Sequence, residues 1–100
     1  MRKDKFIMVV NDKKFFDLYD SVLEEVEMDL EKEPVLMRSS RVEEILDIVP
    51  FTRKRLVNSG ELTAVKTGDS VQSAMRITKE SVTRLIAKWQ AIAEYKAGIK

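Results

Sequence analysis

A chain of 100 residues is long enough for one compact domain, but not for two lobes with a catalytic cleft between them. Hydrophobic residues make up 44% of the chain and charged residues 35%, with three Gly and two Pro, so we expect a folded protein with a modest core. The lack of Cys and His excludes a disulfide framework, a thiolate nucleophile, an imidazole base and the ordinary zinc and copper sites. We therefore expect no enzymatic activity, no metal and no cofactor.

Positive and negative residues are distributed unequally along the chain. Residues 1–36 contain six Lys/Arg and ten Asp/Glu, a net charge of −4, whereas residues 37–100 contain twelve and seven, a net charge of +5. This asymmetry predicts an acidic N-terminal arm over residues 1–36 and a second domain over residues 37–100. The basic half is either a nucleic-acid-binding part or a set of solvated helix faces.

The first candidate element is the apolar run from Phe6 to Val10, which ends at Asn11-Asp12. Its β-branched residues favour a strand over residues 5–10, although a buried lead-in to a helix is the alternative. Five residues are far fewer than the roughly 20 that span a bilayer, and no signal-peptide cleavage pattern follows. We expect a cytoplasmic protein with no membrane contact.

An amphipathic helix follows, with Asp12 as its N-cap. Its apolar stripe recurs at spacings of four, three, four and four residues: Phe15, Tyr19, Val22, Val26 and Leu30. Pro34 disfavours helical geometry in the preceding residue, so the predicted end is near Glu33. The stripe needs a cover, which is either the rest of the domain or a second protomer.

Two short helices are predicted next, separated by a tight turn. Ser39-Ser40 offers an N-cap for the first, whose apolar positions are Val42, Ile45, Leu46 and Val49. Pro50 interrupts this helix, and Thr52 is the predicted cap of a helix over residues 53–59. Gly60 ends that helix in the left-handed conformation.

The pattern beyond Gly60 changes to that of a β-hairpin and a long helix. Residues 62–65 and 75–77 are extended in character, with a polar turn at residues 67–70. Thr78 is the predicted cap of a final helix with apolar residues at three-and-four spacing: Val82, Leu85, Ile86, Trp89, Ile92 and Ala93. The prediction is a mainly α fold with a small β-hairpin.

The segment at residues 59–68, SGELTAVKTG, resembles the stretch that follows the recognition helix in excisionase-type and MerR-like winged helix-turn-helix proteins. Val42-Glu43-Glu44, Thr52-Arg53-Lys54 and residues 75–82 are similar to further motifs of that family, so the resemblance covers about residues 39–86. It implies a winged helix-turn-helix with an N-terminal strand and helix arm. The implied function is that of a small nucleoid-associated protein that binds double-stranded DNA, either an excisionase-like architectural factor or a transcriptional regulator of a phage or mobile element.

The DNA-contacting residues follow from this resemblance and from the chemistry of the grooves. Arg pairs with guanine and Asn with adenine in the major groove, while backbone phosphates attract any cation. On a short helix Leu56 and Val57 must face the core, which directs Lys54, Arg55 and Asn58 outward and leaves the orientation of Arg53 open. The candidate set is Thr52, Arg53, Lys54, Arg55 and Asn58 on the recognition helix, and Lys66, Ser70, Gln72 and Arg76 on the wing.

The sequence leaves the oligomeric state and the binding partner of the protein open. A single small winged helix makes few DNA contacts, so we expect a homodimer or a cooperative oligomer on DNA, with a recombinase or host protein as a further partner. The rival function is a protein-binding adaptor that keeps the fold without DNA contact. The acidic pairs Glu43-Glu44 and Asp17/Asp20 could be drawn as acid/base or metal sites, but solvated helix charges explain them better.

Overall fold

The computed structural model describes residues 13–68 and 75–98. These residues form α1 (Lys13–Asp29), β1 (Leu36–Arg38), α2 (Ser39–Leu46), α3 (Pro50–Asn58), β2 (Ala64–Lys66), β3 (Met75–Thr78) and α4 (Lys79–Ala97). The protein is therefore mainly helical with a small antiparallel sheet, as predicted. The strand predicted over residues 5–10 and the tip of the hairpin lie outside the described residues.

Helices α1 and α4 pack side by side in antiparallel directions. The ring of Phe15, near the start of α1, meets the ring of Tyr95, near the end of α4, edge-on with centroids 5.9 Å apart. Near the other end of the pair, the ammonium group of Lys79 donates to the backbone carbonyl of Glu33 at 2.9 Å. The apolar stripe of α1 is therefore covered by a helix of the same chain.

Helix α1 ends at Asp29, earlier than the predicted end near Glu33. The chain continues in tight turns, with the N–H of Leu30 donating to the carbonyl of Val26 and the N–H of Glu33 to that of Leu30, both at 3.0 Å. These turns carry Leu30 into the core. The predicted end was wrong because Pro34 limits how far a helix can extend without requiring it to extend so far.

Strand β3 lies between β1 and β2, and both neighbours run antiparallel to it. The pairing of β2 with β3 confirms the predicted hairpin, whereas β1 is an element that the sequence pattern did not reveal. Met37 of β1 lies opposite Ile77 of β3, and both side chains are fully buried. A three-residue strand with one buried position carries too little alternation to be recognised from sequence.

Helix α2 begins without the side-chain cap that Ser39-Ser40 was expected to provide. Arg38, the last residue of β1, occupies the N-cap position in an extended conformation, and its side chain makes no capping hydrogen bond. Ser39 is already helical because α2 starts directly where β1 ends. At the other end the chain turns at Asp47, which adopts the left-handed conformation with a φ of 56°.

Helix α3 begins at Pro50, with Val49 as its N-cap, so the predicted cap at Thr52 is wrong. Proline suits the first turn of a helix because its φ is already helical and the N–H that it lacks would have no partner there. Gly60 adopts a φ of 86° after the helix, as predicted, and its N–H donates to the carbonyl of Val57 at 3.1 Å.

Helix α4 has the cap that the sequence predicts. The hydroxyl oxygen of Thr78 accepts a hydrogen bond from the N–H of Ser81 at 3.2 Å. The hydroxyl oxygen of Ser81 in turn accepts from the N–H of Thr63 at 3.0 Å, which ties the chain entering β2 to the start of α4.

A hydrophobic cluster joins the acidic and basic parts of the chain within the described residues. It includes Val22 and Val26 from α1, Met37 from β1, Val42 from α2 and Val82 from α4. Residues on both sides of position 36 therefore share one core. Within residues 13–68 and 75–98, no helix combines the length and the apolar content needed to cross a membrane.

Arg41 joins the turn after α1 to helix α2. Its guanidinium group contacts the carboxylate of Glu33 at 2.6 Å and that of Glu44 at 2.7 Å. Hydrogen bonding from Arg41 holds the pKa of Glu33 below its usual value. The contact favours the ionised carboxylate, so the folded state resists protonation at this position.

We expect Glu33→Gln to reduce the acid sensitivity of the fold. Because the pKa of Glu33 is lower in the folded chain, the stabilisation is present above the ordinary value of 4.5 and is lost as the pH falls through the folded value. Below pH 4.5 the free energy of unfolding should therefore fall more steeply for the unsubstituted chain than for the variant. Urea unfolding across this pH range measures the two slopes, and equal slopes would contradict the interpretation.

A neighbouring pair of aromatic residues tests the packing of α1. Phe15 is 3% exposed and Phe16 is 44% exposed. Phe15→Ala should lower the free energy of unfolding by about 3 kcal/mol or more, since it removes a large side chain from the core. Phe16→Ala is the matched control and should cost clearly less in urea unfolding followed by circular dichroism. A larger loss for Phe16→Ala would show that α1 packs through its other face.

Candidate functional site

The exposed face of α3 carries four residues at helical spacing. Phe51, Lys54, Arg55 and Asn58 are all exposed, and their separations of three, four and seven residues place them on one side of the helix. We call this set the α3 stripe. Three of its members were predicted from the sequence, and it presents two cations, an amide and an aromatic ring to solvent.

The opposite face of α3 holds the helix on the rest of the protein. Leu56 and Val57 are half-buried against the hydrophobic cluster, as the sequence predicts. Thr52 is also half-buried, so it lies off the α3 stripe.

Arg53 is turned toward α2 and forms an ion pair there. Its Nε lies 2.5 Å from Oε2 of Glu43, and the two side chains are only 16% and 19% exposed. The orientation left open by the sequence is thus settled: Arg53 joins α2 to α3 and does not belong to the exposed stripe. Among the ion pairs of the described residues, Arg53 is the only cation that contacts the half-buried carboxylate of Glu43.

Phe51 is the member of the stripe that sequence reasoning missed. It lies in the first turn of α3 and is 69% exposed. The available signal was its position seven residues before Asn58 on the same helix face, but the boundary expected at Thr52 placed Phe51 outside the helix. Neighbouring Val49, at the N-cap, is exposed as well, so the start of α3 is apolar.

The sheet contributes a second group of cations. Arg76 of β3 lies directly opposite Arg38 of β1, so the two side chains leave the same face of the sheet. Like charges directly opposite each other are unfavourable without a counter-ion. Arg38 was not among the predicted site residues because β1 was not recognised.

Lys66 lies on the other face of the sheet. It pairs with Met75, which shares a face with the buried Ile77, whereas Arg76 points the opposite way. The two predicted wing cations are therefore not side by side. The remaining predicted wing residues, Ser70 and Gln72, lie outside the described residues.

The cations of the α3 stripe and the sheet differ from the other arginines of the described residues in having no carboxylate partner, a property that they share with the exposed Lys32 and Lys96. Arg41, Arg84 and Lys88 are paired with carboxylates of Glu33, Glu80 and Glu61 respectively, and Arg53 with that of Glu43. In the described ranges no acidic partner reaches Arg38, Lys54, Arg55, Lys66 or Arg76. The positive charges of these five side chains on α3 and the sheet are therefore not compensated by a carboxylate of the described residues.

Three of the four acidic residues considered for catalysis form ion pairs with cations. Glu43 binds Arg53, Glu44 binds Arg41, and Asp17 contacts Lys13 at 3.3 Å. In the part of the chain that the structure describes, no three acidic side chains converge on a common point that would hold a metal ion.

One cavity lies between α1, α4 and the loop after α3. It has a volume of about 430 Å³, and its walls include Phe16, Tyr19, Gly60 and Arg84. Partial burial raises the pKa of Tyr19 above its usual value, so its hydroxyl stays protonated near neutral pH. Three of its lining side chains, Phe15, Tyr19 and Leu85, also belong to the hydrophobic cluster or pack against it.

The contrast between Arg53 and Arg55 yields a stability prediction. Arg53→Ala should lower the free energy of unfolding by about 1.5 kcal/mol, because it leaves the Glu43 carboxylate half-buried without a partner. Arg55→Ala removes an exposed side chain and should change stability by no more than about 0.5 kcal/mol. Urea unfolding of the two variants measures the difference. Equal losses would show that the Arg53–Glu43 pair contributes nothing.

Comparisons with known proteins give no family to which the chain can be assigned. No family model, no curated protein and no solved structure matched the chain significantly. The case for a function therefore depends on the α3 stripe and the cations of the sheet.

Proposed function

We propose that this protein is a small double-stranded DNA-binding protein with a winged helix-turn-helix fold. In this proposal α2 and α3 are the helix-turn-helix, β2 and β3 are the wing, and α3 is the recognition helix. The three residues between α2 and α3 match the turn length of this motif. Asp47, in the left-handed conformation, provides the sharp change of direction for which such turns often use glycine.

The main observation in support of the proposal is the composition of the α3 stripe. Lys54 and Arg55 are exposed and have no acidic partner in the described ranges, and Asn58 follows one turn later on the same side. The major groove admits one α-helix, in which Arg binds guanine and Asn binds adenine through paired hydrogen bonds. A helix held by its half-buried face and exposing these groups suits base contact without any rearrangement of the core.

The cations of the sheet suit the DNA backbone. Arg38 and Arg76 repel each other on one face of the sheet, and a phosphate between or beside them would relieve that repulsion. Lys66 leaves the opposite face at the end of β2, next to the wing tip. Phosphate contacts of this kind position a protein on DNA and add affinity that depends on salt.

A domain of this size makes too few DNA contacts to bind one site with high affinity on its own. One recognition helix contacts a short half-site, so we propose that two or more copies bind neighbouring half-sites, as a dimer or as a cooperative array. The biological role in this proposal is that of an excisionase-like architectural factor or a transcriptional regulator of a mobile element.

Two double variants that remove the same number of positive charges test the proposal. The variant Lys54→Ala/Arg55→Ala removes the two cations of the α3 stripe. The control Lys32→Ala/Lys96→Ala removes two exposed lysines outside α3 and the sheet. If α3 enters the groove, the first variant should bind a mixture of random 30-base-pair duplexes at least 10-fold more weakly and flatten the salt dependence by about 1 to 2 in log–log slope. The control should change both quantities much less.

Fluorescence anisotropy between about 50 and 200 mM salt, the range over which phosphate contacts change affinity strongly, supplies both quantities. Circular dichroism confirms that the variants are folded. Equal effects of the two variants would mean that duplex binding reflects charge alone. No salt-sensitive binding by the unsubstituted chain would refute the proposal and favour a protein-binding adaptor.

A further inference from the structure

Phe51 occupies an unusual position for a large aromatic residue. It is 69% exposed, and it belongs neither to the hydrophobic cluster nor to the aromatic contacts of the described residues, which centre on Phe15. Exposed Val49 lies beside it at the N-cap, and Lys54 and Arg55 follow one turn later on the α3 stripe. The described residues thus give Phe51 no packing role that would account for its side chain.

We propose that Phe51 is a specificity-determining residue that contacts the C5-methyl group of a thymine in the major groove. The inference rests on the proposed function, because it assigns a base to one residue of the recognition helix. The thymine methyl is the apolar feature of the major-groove edge, and phenylalanine is one of the side chains that contact it. The first turn of a recognition helix is the part that approaches base edges most closely.

The order of residues along α3 places this contact beside the polar ones. Phe51 lies three residues before Lys54 and seven before Asn58, so the ring and the amide are separated by two turns on one side of the helix. At 1.5 Å per residue the separation along the axis is roughly 10 Å, about three base-pair steps. If the axis of α3 lies along the groove, the thymine that Phe51 contacts is about three base pairs from the base that Asn58 contacts.

A wedge between stacked bases is the other use that DNA-binding proteins make of an exposed phenylalanine. Such wedges enter from the minor groove and kink the duplex. Phe51 shares its helix face with Arg55 and Asn58, whose functional groups suit the base edges of the major groove. The shared face favours methyl contact over insertion.

The test is a double-mutant cycle between Phe51 and one methyl group. The probe is the duplex selected from random-sequence DNA by the full unsubstituted chain, compared with duplexes in which one thymine at a time is replaced by deoxyuridine. At one position this replacement should weaken binding by about 4-fold, the value of one buried methyl group. The variant Phe51→Ala should bind the thymine duplex at least 4-fold more weakly and should be insensitive to deoxyuridine at that position.

Phe16→Ala is the matched control, since it removes a partly exposed phenylalanine from α1. It should keep the full sensitivity to deoxyuridine. The inference is overturned if Phe51→Ala keeps that sensitivity at every position, or if no thymine methyl affects the unsubstituted chain. It is also overturned if Phe51→Ala weakens both duplexes equally while lowering the mass in sedimentation, because Phe51 would then contact a second copy.

These outcomes are separable from failure of the proposed function. In one outcome the unsubstituted chain binds duplex in a salt-sensitive way, Lys54→Ala/Arg55→Ala weakens this binding, and the effects of Phe51→Ala and deoxyuridine are additive. This outcome would support the DNA-binding function and refute the thymine contact. If the unsubstituted chain does not bind duplex DNA, both the DNA-binding function and the thymine contact are refuted.

Discussion

Strand β3 pairs with its hairpin partner β2 along one edge and with β1, about 40 residues earlier in the sequence, along the other. Ile77 of β3 is fully buried opposite Met37 on one side and Ala64 on the other. Because α2 has no side-chain cap and follows β1 directly, this pairing determines where α2 begins, whereas α4 begins at its cap, Thr78. Separation of β1 from β3 would displace α2, and with it α3 and its exposed residues.

The position of helix α3 is set by its contacts with neighbouring elements, to whose hydrophobic core it contributes little. It contains no fully buried residue, and its inner side is held by the half-buried Leu56 and Val57 and by the Arg53–Glu43 ion pair. A helix held in this way contributes little to the hydrophobic core, so its outer face is free to serve binding rather than stability. Substitutions on the α3 stripe should accordingly leave the fold intact.

Arginines serve two purposes in this molecule, and their surroundings decide which. Arg41 and Arg53 each connect separate segments by compensating carboxylates, which stabilises the junctions on either side of α2. Arg38, Arg55 and Arg76 lack such partners in the described ranges and keep their charge available. The overall net charge of +1 conceals this difference, since it sums paired and unpaired groups alike.

Periodicity and local chemistry in the sequence were enough to predict that the helices and the hairpin form, the caps at Thr78 and Gly60, and the outward direction of Lys54, Arg55 and Asn58, because these depend on residues within one or two turns of each other. They were not enough to predict the end of α1 or the start of α3. Strand β1 was decided only by the tertiary structure, since its three residues become a strand through pairing with β3 about 40 residues later. The same holds for Arg53, which is drawn to Glu43 of another helix, and for Arg38, which lies opposite Arg76. Long-range partners decided these positions, and no local pattern encodes the partner of a residue.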